Sequence, residues 1–180
     1  MIYVFLADGF EEIEALCPLD LMRRAGLPVA TVGVGGKKEI SGAHGIKVIA
    51  DIKDSELCDS DPTLIMLPGG MPGTKNLQAS KIVKAAIKNA AQKNAPIAAI
   101  CAAPSILGSM GLLSGKRATC FPGFEGQLEG AILSEQKVVR DGNIITAAGM
   151  GVALEFGLAI IEMLLGADRA EQLARDVLAK

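Results

Sequence analysis

One cysteine and one glutamate carry the chemical interest of this sequence. Cys101 ends the apolar run PIAAI (96–100), and Pro104 follows three residues later. A buried strand, a sharp turn and a helix that begins at Pro104 would form a nucleophile elbow. A thiol so placed lies at the edge of the sheet near a helix N-terminus, whose positive end favours the thiolate and lowers the thiol pKa. The plainer reading is a small core residue, the commonest fate of a free cysteine. The pattern alone fits both. Cys17, Cys58 and Cys120 have no such context and read as core residues.

A carboxyl partner is available upstream. In ADGFEEIEAL, Asp8 and Glu11 have the D-x-x-E spacing of a capping box, a structural task. Glu14 lies further in, beside Ile13, Ala15 and Leu16. Position alone favours a solvated surface carboxylate. A partly buried one would have a raised pKa, and once protonated could donate a hydrogen bond to a thiolate. The third feature is the loop LPGGMPGTKN (67–76). It lacks the Gly-Lys-Ser/Thr of a phosphate loop. It reads either as a plain turn or as half of an oxyanion hole, with the Gly70 and Ala102 N–H groups aimed at one point near Cys101.

These residues need a scaffold that brings distant loops together. IYVFLA (2–7), PVATVGVGG (28–36), PTLIMLPGG (62–70) and PIAAI (96–100) are apolar runs of the kind found in strands buried on both faces. Helical periodicity spans 11–26, with Pro18 as a kink candidate and Gly26 as a stop. It recurs over 76–94, 104–113, 151–166 and 168–179. The stretch 38–51 reads as two strands about a turn, and 132–149 as two strands about Asp141-Gly142. Alternating strands and helices predict a single α/β domain over 1–180, its parallel sheet covered by helices on both faces. Reactive groups in such folds gather at the carboxyl ends of the strands. The segments after the first strand, after LPGG and at CAAP all end there.

Composition excludes several classes. Half of the 180 residues are hydrophobic and the net charge is −2, with no basic cluster interleaved with aromatics, so nucleic-acid binding is disfavoured. The uncharged run between Lys93 and Lys116 is long enough for a membrane span, but Asn94, Pro96, Pro104, Gly108 and Gly111 argue for a strand, turn and helix instead. The N-terminus lacks the basic start of a signal peptide, which points to a soluble cytoplasmic protein. The four cysteines have no metal-ligand spacing, and His44 is the sole histidine, so neither a metal nor structural disulfides are expected.

Taken together, DGFEEIEALCPLDLMRRAG, LIMLPGGMPGTKNL, IAAICAAP and SEQKVVRDGNIITAAGMGVALEFGLAIIEML resemble the ThiJ/PfpI superfamily. The resemblance is to the branch of the Parkinson-disease protein DJ-one and its bacterial relatives. It implies a flavodoxin-like three-layer sandwich and a homodimer. Carried over by position, Cys101 matches the family's oxidisable nucleophile, Glu14 the acid that hydrogen-bonds it, and Gly70 and Ala102 the backbone donors. Gly69 falls beside them. Arg24 matches a basic residue that resembling dimers place near the partner's pocket. His44 stands where relatives often carry Arg, and Met150 where they often carry Pro; both are candidates for lining the pocket, although a surface turn is the plainer place for His44. Two departures concern the base. Gly130 falls near the place of that branch's histidine, and Ala102 occupies the position where protease-like relatives have histidine.

The resemblance implies a stress-response protein that acts on reactive carbonyls such as methylglyoxal or its protein adducts, in the manner of a glyoxalase or deglycase and without a cofactor. A non-enzymatic redox sensor or chaperone with an oxidisable Cys101 is the alternative. A cysteine peptidase or amidase would need a histidine beside the nucleophile to protonate a poor leaving group, and that histidine is missing. Nothing in the chain resembles a flavin site, so flavodoxin-type cofactor binding would rest on the fold alone.

Overall fold

The first strand is buried throughout, and its side chains alternate between two apolar clusters, which shows how the layers form. Ile2, Val4 and Leu6 join one apolar cluster, while Tyr3, Phe5 and Ala7 join another on the opposite face. The computed structural model describes residues 1–57 and 61–179; Cys58 lies outside them. The elements run β1 (Ile2–Leu6), α1 (Glu12–Arg24), β2 (Val29–Gly33), β3 (Glu39–Ser41), β4 (Lys47–Ile49), β5 (Ile52–Lys53) and β6 (Leu64–Leu67). They continue with α2 (Gly73–Ala79), α3 (Lys81–Gln92), β7 (Ile97–Ile100), α4 (Pro104–Ser109), β8 (Arg117–Ala118) and β9 (Ile132–Leu133). The chain closes with β10 (Val138–Asp141), β11 (Ile144–Ala147), α5 (Ala153–Leu165) and α6 (Ala167–Asp176).

The main sheet has the order β10-β11-β7-β6-β1-β2-β5, parallel except for the β10–β11 pair. Leu19 and Met22 of α1, Phe156 and Ile160 of α5 and Leu173 of α6 fill one face. Leu77 of α2, Val83 and Ile87 of α3 and Ile106 and Leu107 of α4 fill the other. The expected three-layer sandwich is therefore present. The order of β2-β1-β6-β7-β11 is the flavodoxin-like one, and its switch point lies between β1 and β6, where the chain leaves the sheet in opposite directions. Close packing of α5 on α1 depends on Gly157: a Cβ there would come within 2.6 Å of Leu21 Cδ1 and 3.1 Å of Pro18 Cα. Pro18 lies inside α1 without ending it.

Several local expectations change. The helix predicted over 76–94 is two helices, because Ser80 turns extended and its Oγ accepts a hydrogen bond from Val83 N–H at 3.3 Å, capping α3. The helix predicted over 104–113 ends at Ser109, ahead of the left-handed Gly111. Asp8 does not cap α1. Its carboxylate takes the Ser41 N–H at 3.0 Å and the Lys37 ammonium at 2.5 Å, and Glu11 is the N-cap. The helix thus starts three residues after the position that the D-x-x-E spacing marks. No helix of the described residues is long and apolar enough to cross a membrane.

Candidate active site

Three carboxyl-terminal strand ends meet beside the switch point. β1 leads through a short loop to Glu14 in the first turn of α1, β6 leads to Gly69 and Gly70, and β7 leads directly to Cys101. Cys101 has φ +65°, a left-handed conformation that is costly for a residue with a Cβ. Neighbouring bonds hold it there. Its N–H donates to Ala147 O at 2.8 Å and its carbonyl accepts from Phe121 N–H at 2.8 Å. Pro104 opens α4 as predicted. The strand, the strained turn and the helix make the elbow, and the thiol is half-buried at its tip.

Glu14 is 1% exposed, so the surface position that its place in the sequence favoured is wrong. Its backbone N–H is held by the Glu11 carboxylate at 2.7 Å, and its Oε2 accepts from Gly69 N–H at 2.9 Å. The carboxyl group also hydrogen-bonds the Cys101 thiol and the Met150 N–H. Burial pushes its pKa up to about 7, against the hydrogen bond from Cys101, with the nearby Glu11 charge adding to the rise. The Cys101 thiol is pushed up to about 12, by burial first and then by the negative charge of Glu14. The Gly70 and Ala102 N–H groups point at the sulfur and act in the opposite direction. The expected lowering of the thiol pKa is thus reversed. α4 has six residues and starts three positions later, and its dipole is outweighed by an apolar setting and an adjacent carboxylate.

The arrangement is a hydrogen-bonded pair in which Cys101 holds a proton that Glu14, once ionised, can take. Glycine is required where the three loops meet. A Cβ on Gly69 would lie 2.6 Å from Cys101 Cβ and 2.6 Å from Glu14 Oε2. Gly70 has φ +89°, and a Cβ there would lie 2.4 Å from Glu11 N. We expect Gly69→Ala to lower stability by about 1–3 kcal/mol in urea unfolding, as overpacking does where the Cys101 Cβ, the enclosed Glu14 carboxyl and the Ile100 carbonyl leave no room. An unchanged urea midpoint would show that the close approach is not needed.

The remaining candidates fall elsewhere. Met150 reaches the site only through its backbone, and its side chain is exposed. Arg24 is ten residues along α1 from Glu14, about 15 Å by helical rise. It pairs with Asp20 at 2.6 Å on the rim of a groove lined also by Cys17, Leu21, Leu154 and Val177. His44 sits in the β3–β4 turn, its ring 2.9 Å from Glu12 Oε2 and largely exposed. Neither Arg24 nor His44 reaches Cys101 within one chain. Cys120 is buried, as expected, and Cys17 is half-buried in that groove. Sequence reasoning missed Glu12 and gave Glu11 the far end of a capping box. Their side-chain oxygens are already engaged, Glu11 with Glu14 N–H and Glu12 with the 42–46 turn, so they form a hydrogen-bonded unit and give no argument for a metal.

The sequence pattern of the DJ-1/PfpI family matches residues 1–163. The chain belongs to this family. Among curated relatives, the DJ-1/PfpI protein of Arabidopsis thaliana called protein DJ-1 homolog B is 39% identical over 171 residues, covering 94% of this chain and 39% of that longer protein. The glutathione-independent glyoxalase DJ-1 of Schizosaccharomyces pombe is 32% identical over 176 residues, covering 92% of each chain. The solved structure of oxidized Toxoplasma gondii DJ-1 superposes with a TM-score of 0.95 at 34% identity, covering 98% of this chain and 97% of that one. The resemblance read from the motifs and the flavodoxin-like architecture are thereby both established.

Proposed function

We propose that this DJ-1/PfpI protein acts on small reactive carbonyls, in the manner of a glyoxalase or deglycase, with Cys101 as nucleophile and Glu14 as the group that moves protons. The hydrogen bond between the Cys101 thiol and the buried Glu14 carboxyl carries this reading. It is supported by the likeness to the fission-yeast glyoxalase. With methylglyoxal, the sulfur adds to the aldehyde carbon and its proton passes to Glu14. The new oxyanion draws on the Gly70 and Ala102 N–H groups and takes that proton to give the hemithioacetal. Glu14, ionised again, removes the proton from the former aldehyde carbon and returns it to the neighbouring carbon, while the hemithioacetal hydroxyl proton passes to the ketone oxygen, which becomes the alcohol. This leaves a lactoyl thioester. Water then cleaves the thioester, releasing lactate and the thiol. One carboxyl group can serve as acid and base in turn, so no histidine is needed.

Lactate formation from methylglyoxal tests the assignment, with Cys101→Ser as background. Lactate above that background supports it, and none removes it for this substrate. A redox sensor is the second reading, supported by the same geometry, since a protonated Glu14 and two N–H groups would stabilise a sulfinate on Cys101. Absence of lactate combined with gain of two oxygens by Cys101 alone under mild peroxide would favour it. Either role requires free thiols, as in a cytoplasmic compartment.

The chain is further proposed to act as a homodimer joined through the exposed side of α1. Ile13, Met150 and Leu154 are large apolar side chains left exposed there, and the groove beside Arg24 continues the same face. Sedimentation should give twice the chain mass, and Arg24→Glu with Leu154→Glu should give the monomer. A monomeric wild-type protein at tens of micromolar would refute this.

A further inference from the structure

Glu12 is buried, 2% exposed, at the end of α1 that carries Glu14. Its carboxylate is wrapped by the β3–β4 turn. Oε1 accepts from His44 N–H at 2.8 Å and Ile46 N–H at 3.4 Å, and Oε2 lies 2.9 Å from His44 Nδ1. The turn closes so tightly that a Cβ on Gly42 would lie 2.3 Å from Glu12 Oε1. Ala43 N–H adds a bond to Phe10 O at 2.8 Å. One carboxylate oxygen each of Glu11 and Glu12 and a ring nitrogen of His44 all lie within 4.8 Å of one another. Glu11 in turn holds the Glu14 N–H at 2.7 Å. A continuous line of charge therefore runs from the exposed imidazole, through two carboxylates, to the Cys101–Glu14 pair. Asp8 with Lys37 and Glu39 with Lys47, charged groups on the same elements, are engaged with each other.

We propose that Glu12 and His44 are positioning residues for the reactive pair: Glu12 pins the first turn of α1, and the His44 imidazolium offsets the carboxylates of Glu11 and Glu12 and so favours the ionised, proton-accepting form of Glu14 near neutral pH. The inference rests on the reading of Glu14 as acceptor of the Cys101 proton. Its physical basis is that Glu11 raises the proton affinity of Glu14 and of His44 alike, and that a positive charge beside Glu11 weakens that effect on Glu14. Loss of the imidazolium leaves the negative cluster uncompensated and raises the pH at which Glu14 ionises.

The rate of Cys101 alkylation by iodoacetamide against pH reads this directly, with mass spectrometry to confirm the site. The wild-type rate should step upward near pH 7 as Glu14 ionises. His44→Gln should move the step upward by about half a pH unit, since a removed charge at this range acts through partly solvated space. His44→Arg, a fixed cation, should leave it at or below the wild-type position. The His44 side chain is 72% exposed, so both variants should melt like the wild type. Glu12→Gln should melt lower and shift the step with it. A wild-type step that neither His44 variant moves, or that both move in the same direction, overturns the role of His44 alone. No step in the wild type near neutral pH overturns Glu14 as acceptor, and this inference with it.

Discussion

Glu14→Gln is expected to cut lactate formation from methylglyoxal about 10²- to 10⁴-fold at mildly alkaline pH, the usual contribution of a positioned acid–base group. Glutamine can still accept from Gly69 N–H, so the architecture survives while the proton acceptor is lost. The wild-type rate should rise through about pH 7, where the buried carboxyl ionises, and the variant should lose that rise. Stability should move the other way. The Glu14 pKa is raised from 4.5 in the unfolded chain to about 7 in the folded protein. Stability from the protonated carboxyl is therefore present in acid, and is lost as pH rises through the folded value. Above pH 7 the wild type carries a buried charge whose cost is about 3 kcal/mol on that shift, and the glutamine variant does not. Urea unfolding should accordingly find the variant more stable than the wild type in mild alkali and matched with it in acid. Retained activity, or a stability difference independent of pH, would contradict the assignment.

Cys101→Ser is expected to remove lactate formation entirely. Serine keeps the φ +65° backbone and the two N–H partners, but its hydroxyl is a far weaker nucleophile with a much higher pKa. Adding Glu14→Gln to Cys101→Ser should cause no further loss, because two groups that act in one proton transfer are strongly non-additive. A residual lactate rate in Cys101→Ser that Glu14→Gln then lowers would mean that Glu14 acts on methylglyoxal independently of the thiol. The rate of methylglyoxal consumption, followed together with lactate, distinguishes catalysis from simple adduct formation on lysines.

The elements that build the site were legible because they are dictated locally. Continuous apolar runs named the strands, Pro104 marked the start of the helix after Cys101, and LPGG marked a loop where backbone must pass closely. The motif order was specific enough to point to the family. What escaped the sequence depends on distance along the chain. Glu14 reads as a surface residue because a carboxylate is ordinarily solvated, even with Ile13, Ala15 and Leu16 beside it, and only Gly69, 55 positions away, reveals that it is enclosed. Asp8 and Glu11 have capping-box spacing, yet Asp8 is drawn to Ser41 and Lys37, and Glu11 becomes the cap. Glu12 drew no notice because its partners come from the 42–46 turn. The thiol pKa was misjudged in direction because a helix terminus can be read from a pattern, whereas burial and a carboxylate in contact cannot.

The shared hydrogen bond between Cys101 and Glu14 has a consequence for proton inventory. Above about pH 7 the pair holds one proton between sulfur and carboxyl. In the proposed reaction, capture of an aldehyde moves that proton to the new hydroxyl, and nothing is taken from or given to solvent. The first covalent step is therefore neutral in net charge and in proton count. On that proposal the site needs neither a buffer molecule nor a water channel until the thioester must be cleaved.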